Sequence, residues 1–377
     1  MVDEALTGPS GTTGRRRRVI KIGSSLLVDG EGRIRLAWLD SLATDLAACR
    51  ARAEEIIVVT SGAIALGRAA LNLSPRSLRL EEKQAAAAVG QINLAHAYQA
   101  SLARHGLATA QLLLTLGDTE NRRRYLNARS TVLALLRLGV IPVVNENDTV
   151  ATNEIRFGDN DRLSARVAVM AGAEELVLLS DVDGLYTSDP SRDPDALRLE
   201  LVTAITPEIE AMAGGAGSTA GTGGMVSKLA AARIATRAGC SVVLAPGALP
   251  HPLARLEGGG PCTRFPARAN PRRARKEWLA ATLGVMGVVR IDAGAAKALR
   301  RGSSLLPAGV VEVEGTFERG DPVLVRGPDG QDLAKGLSAY DAADARRIRG
   351  QRTEQIEALL GYRGRDELIH RDDLVLL

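Results

Sequence analysis

Two lysines in this 377-residue chain stand where a phosphate could be held. Lys21 sits near the end of a short apolar run, Val19–Ile22, and is followed by Gly23-Ser24-Ser25. A glycine lets the backbone approach an anion, and free N–H groups at a turn before a helix bind phosphate. A strand-end lysine that merely snorkels to solvent is the alternative. Lys228 ends the segment GGAGSTAGTGGMVSK, residues 214–228. Gly221, Gly223 and Gly224 can take positive φ and leave donors free, and Lys228 falls on the first turns of the helix that follows. A flexible Gly/Ser loop would have the same composition. Acids and amides flank the ends of other apolar runs: Asp148, Asp159, Asn160, Asp161, Asp181 and Asp183. Around a phosphate such groups can hold Mg²⁺, orient lysines or grip a substrate amine. Asp159–Asp161 could equally cap the helix after them.

Other chemistries are disfavoured. There is no GxxxxGK[ST] loop, and no GxGxxG follows a strand. Cys49, Cys240 and Cys262 are too far apart in sequence for a CxxC pair, and none of the four histidines is paired at metal-ligand spacing. No Ser-His-Asp or Cys-His arrangement is evident. His96 and His105 share one apolar helix and read as packing or surface residues. Apolar residues make up 45% and charged residues 24%, which excludes disorder as the main state. The net charge of +4 resides in residues 1–18 and 267–277 and describes a tail and a linker rather than a basic groove. No apolar run reaches the ~18 residues of a membrane span. Val19-Ile20 meets Lys21 at once, too soon for a signal peptide. A cytoplasmic protein with no membrane partner is expected.

The elements that must position these residues alternate. Val19–Ile22, Ile56–Thr60, Ala108–Leu114, Val140–Val144, Leu176–Leu179 and Ser241–Leu244 read as buried strands. Ile34–Ala53, Glu81–His105, Arg122–Leu138, Arg162–Ala171 and Met225–Ala238 read as helices. Alternation predicts an α/β fold, an αβα sandwich around a mostly parallel sheet, with ligands at the carboxyl ends of the strands. After a Gly/Pro-rich break the rhythm changes to Val288–Ile291, Val310–Val313 and Pro322–Val325, a turn at Gly327–Gly330, and helices at Ala342–Arg347 and Thr353–Leu360. That predicts a small β-rich barrel. The expected organisation is a disordered basic tail over 1–17, with Arg15–Arg18 solvated, a first domain over 18–266, a linker over 267–286, the barrel over 287–364 and a tail over 365–377.

Taken together, the motifs resemble the amino-acid kinase family, in its glutamate-phosphorylating branch. They are Val19-Ile-Lys-Ile-Gly-Ser-Ser25, Val59-Thr-Ser-Gly-Ala-Ile64, Lys83-Gln-Ala-Ala-Ala-Ala-Val-Gly-Gln91, Leu126-Asn-Ala-Arg129, Pro142-Val-Val-Asn-Glu-Asn-Asp148, Gly158-Asp-Asn-Asp161, Asp183-Gly-Leu-Tyr186, and Gly221-Thr-Gly-Gly-Met225 with Lys228. Arg301-Gly-Ser-Ser-Leu-Leu-Pro307 resembles a PUA domain. The resemblance covers Val19 to Tyr362. It implies ATP-dependent phosphorylation of the glutamate side-chain carboxylate, the step that opens proline biosynthesis. ATP and Mg²⁺ are implied, the metal carried by the ATP phosphates with no protein metal site. Lys21, Lys228 and Asp181 are then catalytic, with Asp181 orienting the lysines. Lys21, Gly23, Ser180, Asp181, Thr222, Gly223, Gly224, Met225, Val226, Ser227 and Lys228 line ATP. Ser61, Gly62, Asn145, Asp148 and Asn160 hold glutamate. L-proline as an inhibitor and a homo-oligomer are further implications.

A carboxylate with a pKa of about 4.3 is ionised at neutral pH and needs no general base. The absence of a catalytic histidine therefore agrees with this chemistry. The competing reading is an RNA-binding protein acting through the PUA-like barrel, with Arg272, Arg273, Arg275 and Lys276 on phosphates. Only Phe317, Tyr340 and Tyr362 are available there for base stacking.

Overall fold

Branched aliphatic runs that lack polar alternation have to be buried on both faces, and in this chain they form one sheet. The computed structural model describes residues 16–73, 78–151, 159–214, 224–267 and 285–377. They fall into two units. The first comprises Met1–Thr115, Val132–Ala235 and Ser241–Pro266, and the second Leu116–Thr131, Thr236–Cys240 and Ala267–Leu377.

The first unit is built on β1 (Arg17–Ile22), β2 (Glu55–Val59), β3 (Thr109–Leu114), β4 (Ile141–Glu146), β5 (Glu175–Ser180), β8 (Ser241–Pro246) and β9 (Thr263–Phe265). Their order is β3-β4-β2-β1-β5-β8-β9, and only β9 runs antiparallel to its neighbour. All residues of β2, β4 and β5 are buried, so both faces of the sheet are covered. A short ribbon pairs β6 (Leu185–Tyr186) with β7 (Arg198–Leu199). The helices are α1 (Ser24–Leu27), α2 (Leu36–Ala51), α3 (Ala63–Ala70), α4 (Leu80–Ala103), α5 (Leu116–Glu120), α6 (Arg122–Arg137), α7 (Asp159–Ala171), α8 (Pro207–Ala213), α9 (Met225–Arg237) and α10 (Pro252–Glu257), with α5 and the start of α6 in the second unit. The six strands and five helices read from periodicity are all present. The short α1, α3, α5, α8 and α10 were not anticipated, because a helix of one or two turns leaves too little period to read.

α3 and α4 cross at contact distance. A Cβ on Gly67 would lie 1.7 Å from the Ala86 carbonyl oxygen, and one on Gly90 would lie 1.8 Å from that of Ala63. Two helix-interior glycines, each disfavoured by propensity, are explained by this interlock.

The expectation of a solvated Arg15–Arg18 is corrected. Arg15 lies outside the described residues, but Arg17 and Arg18 open β1. Arg18 is only 2% exposed. Its Nε donates to Glu175 at 2.8 Å, and its Nη1 to Glu257 at 2.7 Å and Glu54 at 3.3 Å. Arg17 donates to Glu55 at 2.6 Å and Arg16 to Glu175 at 3.0 Å. Burial opposes the Arg18 charge, but the surrounding carboxylates outweigh it and raise its pKa above the ordinary value. Adjacent parallel strands begin here with glutamates, and the arginine run neutralises them. Cys49, whose thiol burial pushes up to about 11, packs against the same guanidinium at 3.7 Å.

The second unit carries β10 (Gly287–Ile291), β11 (Val310–Gly315), β12 (Pro322–Arg326), β13 (Asp332–Leu337) and β14 (Leu374–Leu376), in the order β11-β10-β12-β13-β14. Helices α11 (Ala293–Arg300), α12 (Ala342–Ile348) and α13 (Ile356–Leu360) complete it. Residues 365–377 are not a tail. Leu368, Ile369 and Leu374 are in the barrel core, and β14 pairs with β13. Leu116–Thr131, expected with the first domain, falls in the second unit, where Arg129 pairs with Asp373 at 3.2 Å. The expected disorder of residues 1–14 and most of the 267–286 linker lie outside the described residues.

Removing one member of a buried ion network leaves its partners uncompensated, which costs about 3–5 kcal/mol. Arg18→Ala is therefore expected to destabilise the first unit by about that amount. Urea unfolding at neutral pH measures it, and an unchanged midpoint would overturn the structural role given to Arg18.

Candidate active site

β1 is the middle strand of seven, with β2 on one side and β5 on the other. The chain leaves β1 for β2 in one direction and later reaches β5 and β8 in the other, so a crevice opens at the carboxyl end of β1. Lys21 lies at that end, in register with Val59 of β2 and Leu178 of β5, and is 7% exposed.

The group that meets it is Asp161, in the first turn of α7 and 1% exposed. Its Oδ1 is 2.5 Å from Lys21 Nζ, and its Oδ2 is 3.4 Å from Lys228 Nζ, in the first turn of α9. Ser227 Oγ also donates to Oδ2, at 2.7 Å. Two ammonium groups and one carboxylate thus meet in a buried, poorly screening environment, where charge–charge attraction is strong.

The titration of these groups follows from the packing. Burial is the largest influence on Lys21 and pulls its pKa below the ordinary 10.5. Asp161 pulls the other way, and Lys228 adds to the lowering. For Asp161 burial acts to raise the pKa, but the Lys21 and Lys228 charges and the bonds from Lys21 and Ser227 prevail, and it falls below the ordinary carboxylate value. A depressed acid pKa means that the ion pair's stabilisation is complete above the ordinary carboxylate range and is lost as pH falls through the depressed value.

The remaining expected residues are placed as follows. Gly23 caps α1 in an extended conformation, and a Cβ there would meet only ordinary contacts. Ser61 Oγ donates to the Ile22 carbonyl at 3.0 Å, tying the end of β2 to that of β1. Gly62 caps α3 at φ +106°, which a side chain would strain. Asn145 is near the end of β4, buried, and donates through Nδ2 to Gln91 Oε1 at 2.7 Å. Asn160 is the second residue of α7, and Asp148 follows β4. Ser180 ends β5 and donates to Asp181 Oδ1 at 2.9 Å. Gly224 precedes α9, with Met225 and Val226 in its first turn. Thr222 and Gly223 lie outside the described residues.

Among the described residues the carboxylate in contact with both lysines is that of Asp161. Asp181 is exposed and bonds its neighbour Ser180, although its charge still favours the protonated form of Lys21. The sequence leaves Asp161 open between a helix cap and an acid that orients lysines. Its position beside Asn160 in Gly158-Asp-Asn-Asp161 was the available signal. Gln91 was quoted in a motif without a role, since only the fold brings α4 to the end of β4. An exposed carboxylate at a strand end is a hard oxygen donor suited to a Mg²⁺ that phosphates also hold, so Asp181 fits such an ion.

Comparison with known proteins follows the same division of the chain. A model of the amino acid kinase family matches residues 16–246, and one of the PUA domain matches residues 287–360. A glutamate 5-kinase of Paramagnetospirillum magneticum is 60% identical over 362 residues, covering 96% of this chain and 98% of its own. A glutamate 5-kinase of Rhodospirillum rubrum is 61% identical over 359 residues, covering 95% and 96%. Among solved structures, a carbamate kinase from Giardia lamblia bound to AMP-PNP has a TM-score of 0.48 at 16% identity, covering 68% of this chain and 99% of that one.

Asp161→Asn removes the attraction that opposes desolvation of Lys21. The variant is expected to lose about 100-fold or more in turnover. The alkaline limb of its pH–rate profile should move to lower pH, because Lys21 then loses its proton more easily. A limb that stays in place or moves to higher pH would overturn the pairing.

Proposed function

The chain belongs to the amino acid kinase family, and we infer that it transfers the γ-phosphoryl group of ATP to the side-chain carboxylate of L-glutamate, giving L-glutamyl 5-phosphate. The observation that carries this reading is the buried Lys21–Asp161–Lys228 trio at the carboxyl end of the central strand. The acceptor is taken from relatives named glutamate 5-kinase at about 60% identity over nearly the whole chain.

Two anions must approach in line, and charge develops on the transferring phosphoryl oxygens. Lys21 and Lys228 reach that charge from β1 and α9, with the Asp161 carboxylate between them. Ser180, Asp181 and the Gly224–Lys228 segment line the nucleotide, together with Thr222 and Gly223. A Mg²⁺ brought by ATP would supply charge neutralisation at the phosphates, and Asp181 is the residue that would meet it. Ser61 and Gly62 face the acceptor carboxylate. Asn145, Asp148 and Asn160 offer oxygen acceptors and a carboxylate to its ammonium group. Because the acceptor carboxylate is already ionised at neutral pH, no residue has to remove a proton.

L-proline, a secondary ammonium with a carboxylate, would compete for the same acceptors, and inhibition by it belongs to this proposal. So do a homo-oligomeric assembly and a cytoplasmic location, where ATP is supplied. The RNA reading weakens because Phe317 and Tyr340 are 3% and 2% exposed, unavailable for stacking, which leaves Tyr362 of the three aromatics.

Trapping acyl phosphate with hydroxylamine, with ATP, Mg²⁺ and a panel of L-glutamate, L-aspartate, N-acetyl-L-glutamate, carbamate and UMP, tests the reaction. Glutamate-dependent hydroxamate is the expected product, and turnover of another acceptor would overturn the substrate. Lys228→Ala should lower kcat by about 100-fold or more with little loss of stability. Asp148→Ala should raise the KM for glutamate by about tenfold or more and leave that for ATP unchanged. An unaltered glutamate KM would remove Asp148 from the site.

A further inference from the structure

Asn145 is 1% exposed, and its amide is half satisfied. Nδ2 donates to Gln91 Oε1 at 2.7 Å, whereas Oδ1 is buried with no hydrogen-bond partner among the described residues. An unmet buried acceptor is unfavourable unless something brings it a donor. The substrate supplies one if its ammonium group binds there. Which end of an asparagine amide faces a ligand is not fixed by its shape, because a half-turn exchanges the oxygen with the nitrogen. In this structure Gln91 Oε1 accepts from Nδ2, and the carbonyl oxygen is the end left for the substrate.

Gln91 is well placed for this. It lies on α4, next to Gly90, whose missing side chain lets α4 seat against α3. Seven residues earlier on the same helix, and so on a similar face, Gln84 Nε2 donates to the Ala151 carbonyl at 3.0 Å. Two glutamines thus grip the start and the end of the segment Asn145–Ala151, which contains Asp148. The backbone between them is tied by Asn147 N to Leu114 O at 3.0 Å and Ala151 N to Asn147 O at 3.1 Å.

We propose that Gln91 is a positioning residue for substrate choice: by orienting the Asn145 amide it presents an acceptor to the substrate's ammonium group and so favours a free α-amino acid over an acceptor that lacks the cation. The inference rests on the glutamate reading above and deepens it. Gln91 itself touches no reacting atom.

The test measures KM for L-glutamate and for ATP, and the Ki of glutarate, which has both carboxylates but no ammonium group, in the wild type and three variants of the full chain. Gln91→Met keeps the length of the side chain and lacks the amide acceptor. It should raise the glutamate KM by about tenfold, the worth of a hydrogen bond to a charged group, with the ATP KM and glutarate Ki unchanged. Gln91→Glu still accepts from Nδ2 and should restore the glutamate KM to within about threefold of the wild type. Gln91→Lys can only donate, which turns the Asn145 oxygen away from the substrate, and should be the most impaired of the three. If Gln91→Met fails to fold, the order of the Glu and Lys variants decides. A glutamate KM that does not distinguish Glu from Lys at that position overturns the proposal. So does a glutarate Ki that rises in step with the glutamate KM. A wild-type chain that forms no glutamate-dependent acyl phosphate overturns the activity itself and the inference with it. An active wild type whose variants are indifferent overturns the inference alone.

Discussion

Lys21 and Lys228 can both be withdrawn from solvent at the end of β1 only because the Asp161 carboxylate touches them both, at 2.5 and 3.4 Å. Two buried ammonium groups would otherwise repel one another in a poorly screening environment. The acid in turn is tolerated at 1% exposure because two cations and the Ser227 hydroxyl meet it. This mutual dependence fixes where three elements must end. β1 delivers Lys21 from the centre of the sheet, α7 delivers Asp161, and α9 delivers Ser227 and Lys228.

The same strand is anchored by charge at its other end. Arg18 and Lys21 are three residues apart on β1 and so point to opposite faces. Arg18 is buried among Glu54, Glu175 and Glu257 at the start of the strand, and Lys21 is buried against Asp161 near its finish. Between them Val19 and Ile20 are fully buried. A strand pinned in this way has little freedom to slide in register, and a one-residue slip would turn Lys21 away from the site.

α4 plays the corresponding role for the acceptor side. Its interlock with α3 at Gly67 and Gly90 sets the helix that Gly62 begins, next to Ser61. Its glutamines 84 and 91 hold the segment that carries Asn145 and Asp148. Groups assigned to glutamate on two different strand ends are thereby positioned from one helix, which reading along the chain does not suggest.

What the amino-acid order determined by itself is whatever depends on local pattern. Apolar runs separated by helical periods are enough to predict a covered parallel sheet. The change of rhythm after residue 287 is enough to predict a barrel. What only the tertiary structure decided depends on groups brought together from far along the chain. Asp161 is open between a helix cap and a lysine partner until Lys21 and Lys228 meet it. Arg17 and Arg18 read as a solvated tail until the glutamates opening β2 and β5 and the one closing α10 surround them. Residues 365–377 read as a tail until β14 adds to β13. Gln91 has no meaning until α4 lies beside the end of β4. In each case the energy that fixes the residue lies in a buried charge or hydrogen bond whose partner is distant in sequence, and no local pattern records that partner.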